Sequence, residues 1–122
     1  MLSDLSVERL GTCHPDLQKL VLAVSAKFHI AVLCGHRGQR EQDEAFHDGK
    51  SKLAWPQSKH NLLPAMAVDL APLTPSDAVD WRDLKAFDEL AVVVQATANE
   101  LCIKILWGGA WKMRDFVHWQ LV

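Results

Sequence analysis

The chain has 122 residues, of which 49% are hydrophobic and 23% are charged, and its formal net charge is -2. This length and composition are typical of one soluble domain with its own core. The charge balance lacks the basic excess of proteins that bind nucleic acid or anionic lipid. We therefore expect a single domain over residues 1–122, which binds its partner at a local site and binds no nucleic acid.

Export and membrane insertion are not indicated. Cys13, Cys34 and Cys102 are odd in number and far apart, which argues against a disulfide framework and favours a reducing compartment. The N-terminus has early acidic residues and no continuous apolar core, unlike a secretory signal peptide. The most apolar helical stretch, residues 90–98, is too short to cross a bilayer. We expect synthesis in the cytoplasm.

The first half of the chain predicts two helices and a strand. Apolar residues recur at three- and four-residue steps over residues 15–28, which is typical of a helix with one buried face, and the initial proline suits its first turn. Residues 30–34 are apolar, partly β-branched and followed by Gly35, so they predict a buried strand. Residues 39–48 predict a short surface helix, ended by Gly49 in the left-handed conformation.

The second half predicts a long loop at residues 50–64, which carries two prolines and no period. Residues 67–71 predict a strand ended by proline, and residues 84–101 keep a helical spacing, with Asp80 as the expected N-cap. Two more strands are predicted at residues 103–107 and 116–121. Together these elements predict an α+β fold, with a small antiparallel sheet packed against helices.

Asp69 is the most informative polar residue, because it lies inside the apolar run 67–71. A buried carboxylate carries a large desolvation cost unless a positive group or several donors face it. Two histidines and one carboxylate form a zinc ligand set that leaves the fourth tetrahedral position to water. Taken singly, His60 fits a surface loop and His118 a hydrogen-bonded core position. Combined with Asp69, they predict a zinc site at the sheet.

Hydrolysis at such a site needs a nearby carboxylate that moves a proton from water to the leaving amine, and Asp115 is the candidate. Residues three apart in a regular strand face opposite sides, so we predict irregular backbone between Asp115 and His118. The alternative for Asp115 is a solvated loop acid. Arg37 suits a substrate carboxylate or an oxyanion, and its alternative is an ordinary surface ion pair.

These segments resemble the motifs of the M15 zinc metallopeptidases, and most of all those of the phage endolysin branch. The S-x-H, A-x-D and D/E-x-x-H motifs are matched by residues 58–60, 67–69 and 115–118. Residues 35–38, with Glu41 and Gln42 behind them, resemble the arginine motif of the family, and residues 107–111 resemble its W-G-G-x-W segment.

The resemblance implies a zinc peptidase that cuts the stem peptide of bacterial peptidoglycan, as a phage or prophage endolysin of the L-alanyl-D-glutamate endopeptidase type. It implies His60, Asp69 and His118 as zinc ligands and Asp115 as the catalytic base, with Arg37 in the arginine motif. It also implies action on the wall after the membrane is permeabilised. We expect a monomer without a separate cell-wall-binding domain.

Two alternatives stay open from the sequence. A D-Ala-D-Ala carboxypeptidase shares the zinc chemistry and differs only in its cleft. A non-catalytic, zinc-containing wall-binding module is suggested by the long gap of eight residues between His60 and Asp69. A structural zinc site would have a fourth protein ligand, which separates this alternative from an enzyme.

Overall fold

A four-stranded antiparallel sheet forms the centre of the structure, a computed structural model that describes all 122 residues. The strands are β1 (Ile30–Cys34), β2 (Ala67–Pro72), β3 (Ile105–Trp107) and β4 (His118–Leu121), in the spatial order β1-β2-β4-β3. The inner strand β2 is buried along its whole length, in line with its apolar sequence. The predicted α+β fold is confirmed.

Four α-helices surround the sheet: α1 (Asp4–Leu10), α2 (Pro15–Ser25), α3 (Gln39–His47) and α4 (Leu84–Glu100). Helix α2 packs against α4, α4 packs against β2 and β3, and α1 packs against β1. One continuous apolar core contains side chains of α1, α2, α4 and all four strands. No helix combines the length and the apolar character needed to cross a membrane.

Helix α1 has no counterpart among the sequence predictions. Ser3 caps it by accepting a hydrogen bond from the Ser6 amide at 3.1 Å. Only Ser6 and Leu10 of this short helix are buried, so its sequence shows too few apolar repeats to indicate a helix. Its position is fixed by tertiary contacts, among them the hydrogen bond that the Val32 amide donates to the Ser6 hydroxyl at 2.9 Å.

The expectation that Asp80 caps the long helix is wrong. The cap is Asp83, whose carboxylate accepts from the Ala86 amide at 3.1 Å, whereas the Asp80 carboxylate accepts from the Arg82 amide in the preceding turn. The first buried residue of α4 is Phe87. A helical turn starting earlier would therefore bury no apolar face and would gain little stability.

Irregular segments contain most of the predicted site residues. The predicted loop between α3 and β2 contains one short 3-10 helix, Lys59–Asn61, and Gly49 before it has the expected positive φ of 75°. Strand β4 starts at His118 rather than at Phe116, because a turn precedes it in which the His118 amide donates to the Asp115 carbonyl at 3.3 Å. The predicted irregular backbone before His118 is confirmed.

Candidate metal centre

Three segments bring His60, Asp69 and His118 together. Asp69 and His118 face each other as directly paired residues of β2 and β4. His60 reaches them from the 3-10 helix, which a capping box holds in place: the His60 amide donates to the Ser58 hydroxyl at 3.2 Å, and the Ser58 amide donates to the Asn61 side-chain oxygen at 3.0 Å. All three clustered side chains are buried.

The spacing of the three groups fits one metal ion. Nε2 of His60 lies 3.1 Å from Oδ1 of Asp69 and 3.2 Å from Nδ1 of His118, and the third edge, Nδ1 of His118 to Oδ1 of Asp69, is 3.6 Å. Ligand atoms about 2.0–2.2 Å from a tetrahedral zinc are separated by roughly 3.4 Å. No other group of three histidine, cysteine or acidic side chains has this closeness.

A second hydrogen bond orients each imidazole ring. Nδ1 of His60 bonds the Gly35 carbonyl at 2.8 Å, and Nε2 of His118 bonds the side-chain oxygen of Gln120 at 2.9 Å. Both acceptors place a hydrogen on the outer nitrogen, so each inner nitrogen can offer its lone pair to a metal once any proton it carries is lost. Gln120 was not predicted as a site residue, although its position two residues after His118 on a strand places both side chains on one face.

The charges of the cluster are strongly coupled. Burial alone would raise the pKa of the Asp69 carboxyl, but hydrogen bonds and charge from His118 and His60 outweigh burial and hold this pKa well below its usual range. Burial likewise lowers the pKa of His60, yet the hydrogen bond and charge of Asp69 prevail, together with Cys34, and raise it to about 10. In the metal-free cluster the Asp69 carboxyl is therefore ionised, and His60 keeps its proton.

Asp115 lies close to this cluster without belonging to the ligand group. Burial raises the pKa of its carboxyl, and the Asp69 carboxylate raises it further, whereas His118, His60 and Arg37 lower it. The two segments are also in contact, since the His118 amide donates to the Asp115 carbonyl at 3.3 Å. A half-buried acid with a raised pKa next to a candidate metal site is suited to proton transfer.

Gly108 makes this approach possible. Its carbonyl accepts the Asp115 amide at 2.9 Å. A Cβ at position 108 would lie 2.6 Å from the Asp115 carbonyl oxygen and 3.1 Å from the Cβ atoms of both Asp115 and His118. Only glycine leaves room for the two functional residues at this distance. This explains the first glycine of the W-G-G-x-W segment.

Arg37 follows β1 and lies at the edge of the cluster. Its Nη2 is 3.6 Å from Oδ2 of Asp69 and 3.8 Å from Sγ of Cys34, and its Nη1 donates to the Gln42 side-chain oxygen at 3.0 Å. The side chain is 18% exposed, so it differs from an ordinary surface ion pair. Arg37 is thus a further positive group that faces the buried Asp69, beside the two histidines that hold its pKa low.

The tryptophans divide between core and cleft. Trp119 is buried and stacks on Trp107, with the ring centroids 5.7 Å apart. Trp111, by contrast, is 40% exposed, and its ring centroid lies 5.2 Å from that of His118. Its side chain therefore forms one wall beside the candidate metal centre.

Comparison with known proteins places the chain in one family. The family model described as phage L-alanyl-D-glutamate peptidase matches residues 1–119. A solved structure, that of the Serratia marcescens L-Ala D-Glu endopeptidase ChiX, is 30% identical, with a TM-score of 0.84 over 100% of this chain and 90% of that chain. No match is found among curated proteins. The chain therefore belongs to the family of phage L-alanyl-D-glutamate peptidases, in agreement with its motifs.

Proposed function

We propose that this protein is a zinc-dependent endopeptidase that cuts the L-alanyl-D-glutamate bond in the stem peptide of bacterial peptidoglycan. The supporting observation is the buried group of His60, Asp69 and His118, with ligand atoms within 4.8 Å of one another and the acid Asp115 beside it. Family membership and the endopeptidase neighbour supply the reaction class and the bond.

Each residue has one task in this proposal. His60, Asp69 and His118 would hold zinc, which lowers the pKa of a bound water to roughly 7 and polarises a carbonyl. Asp115 takes a proton from the attacking water. As the C–N bond breaks, Asp115 returns the proton to the leaving amine nitrogen, so the products are a free carboxylate and a free amine. Arg37 binds a substrate carboxylate or stabilises the developing oxyanion.

The number of protein ligands favours an enzyme over a structural zinc module. A structural zinc site has four protein ligands, and this cluster offers three. The fourth position would then be free for water or substrate.

Within residues 1–122, one monomeric domain both recognises and cleaves the wall in this proposal. The enzyme acts after the membrane is permeabilised, when the peptidoglycan becomes accessible.

Digestion of purified peptidoglycan by the zinc-loaded protein tests this function. We expect new amino groups, and mass spectrometry of the products should identify glutamate as the new N-terminal residue. Chelation should stop the release and zinc should restore it. Release of free D-alanine without new glutamate N-termini would instead assign a carboxypeptidase. Absence of any new product from intact, zinc-loaded protein would reject both activities.

A further inference from the structure

Gln42, on α3, is fully buried although its side chain is polar. A buried amide is costly unless its hydrogen-bonding groups are all satisfied, and here they are. Its oxygen accepts from Nη1 of Arg37 at 3.0 Å and from Nδ2 of Asn61 at 3.1 Å. Its nitrogen donates to the Ser51 hydroxyl at 2.9 Å and to the Leu53 carbonyl at 2.6 Å.

The amide of Gln42 can adopt only one orientation. The Arg37 and Asn61 groups are donors without acceptor capacity, so the amide oxygen must face them. The Leu53 carbonyl is an acceptor only, so the amide nitrogen must face the loop. Rotating the amide by 180° would place its nitrogen against the donors of Arg37 and Asn61, and its oxygen against the Leu53 carbonyl. Gln42 therefore presents a fixed acceptor to the arginine.

This acceptor is the shortest side-chain contact of the Arg37 guanidinium. The contacts of Nη2 with Asp69 and Cys34 are longer, at 3.6 Å and 3.8 Å. The same Gln42 oxygen also holds Asn61, which neighbours the metal-site residue His60 and itself donates to the Arg37 carbonyl at 3.0 Å. One buried side chain thus links the arginine, the His60 segment and the loop at residues 51–53.

We propose that Gln42 is a positioning residue, which directs the Arg37 guanidinium toward the reacting end of the substrate. This inference rests on the proposed function, in which Arg37 contacts substrate. Replacing a residue that orients a metal ligand typically costs about 10- to 100-fold in activity or metal affinity, and we expect a loss of activity of the same size for a residue that orients Arg37. Gln42 acts through Arg37 and does not itself touch the metal cluster.

A double-mutant cycle tests the dependence on Arg37. Gln42→Met should lower kcat/KM by about 10- to 100-fold while one zinc per chain is retained. In an Arg37→Ala background, the same replacement should change kcat/KM by less than about 3-fold, since the group that Gln42 positions is gone. Gln39→Met, an exposed change on the same helix, is the matched control. An equal loss in both backgrounds, or no loss in either, would overturn the proposal.

A second measurement does not depend on activity. The Nη1–H NMR signal of Arg37 should be resolved and protected from exchange in the wild type, and lost in Gln42→Met, which has no acceptor oxygen. An unchanged signal in Gln42→Met would contradict the proposal even if the wild type cut no peptidoglycan, a result that would reject only the proposed function. If Gln42→Met does not fold, Gln42→Asn takes its place, since its shorter side chain cannot reach the arginine.

Discussion

Two parts of the candidate site are positioned in different ways: the sheet side, with Asp69 and His118, and the loop side, with Asp115 and Arg37. Asp69 and His118 occupy paired positions on the inner strands β2 and β4, so backbone register places them. Asp115 and Arg37 lie on irregular segments, placed by a glycine contact and by a buried amide. We therefore expect the paired strands, with His60 from the 3-10 helix, to determine metal binding, and the segments of Asp115 and Arg37 to determine turnover. Replacements on the two sides should therefore separate these properties.

The largest effect is expected on the sheet side. Asp69→Asn removes the charge of a metal ligand at the centre of the cluster, so we expect zinc affinity to fall by more than about 100-fold and activity to disappear. Competition with a zinc chelator measures the affinity. Asp43→Asn, an exposed acid on α3, is the matched control and should bind zinc like the wild type. Unchanged zinc binding in Asp69→Asn would refute the proposed ligand set.

A smaller loss is expected on the loop side from Gly108→Ala. The added methyl group would lie 2.6 Å from the Asp115 carbonyl oxygen, so the Asp115 backbone must shift from its present position. We expect kcat/KM to fall by about 10- to 100-fold, because reacting groups tolerate little displacement, with about 1–3 kcal/mol of lost stability. Gly11→Ala, where the nearest atom would be 3.4 Å away, is the control. Wild-type kinetics in Gly108→Ala would show that this contact is unimportant.

The pH dependence of zinc binding should reflect the coupled charges of the sheet side. In the metal-free protein the pKa of His60 is raised to about 10 by Asp69, so His60 holds a proton at neutral pH that zinc must displace. Zinc affinity should therefore increase as pH rises toward 10, by up to about 10-fold per unit. Calorimetry in buffers of different ionisation enthalpy measures the released protons. Binding without proton release at pH 7 would contradict the coupling.

The smallest effect should come from a residue outside both regions. Asp83→Ala removes the N-cap of α4 and should cost about 1 kcal/mol in urea unfolding, with zinc binding and kcat/KM unchanged. Asp80→Ala should change the unfolding free energy by less than about 0.5 kcal/mol. A larger loss for Asp80→Ala than for Asp83→Ala would contradict the observed start of the helix.

A residue can be predicted from the sequence when its chemistry conflicts with its surroundings. A carboxylate in the apolar strand β2 needs a positive partner, so Asp69 could be recognised before its neighbours were known. The bend before His118 follows from the period of a strand. Local patterns were also sufficient for α2, β1 and the left-handed Gly49, where spacing and turn chemistry act over a few residues.

The remaining features depend on contacts between distant parts of the chain. The role of Gly108 arises because Asp115 and His118 pack against it, and sequence spacing does not show that Trp111 is 40% exposed. The hydrogen bonds of Gln42 join residues 37, 51, 53 and 61, which no short sequence window contains. Such contacts are set by tertiary packing, which sequence periodicity does not describe.

The central claim is that the three ligands hold a catalytic zinc while Asp115 moves the proton without binding the metal. Measuring zinc content and peptidoglycan cleavage together in Asp115→Asn tests it most directly, because the amide keeps the shape of the side chain and cannot act as a base. We predict one zinc per chain, with cleavage reduced by at least about 100-fold. Loss of the zinc, or cleavage at the wild-type rate, would contradict the claim.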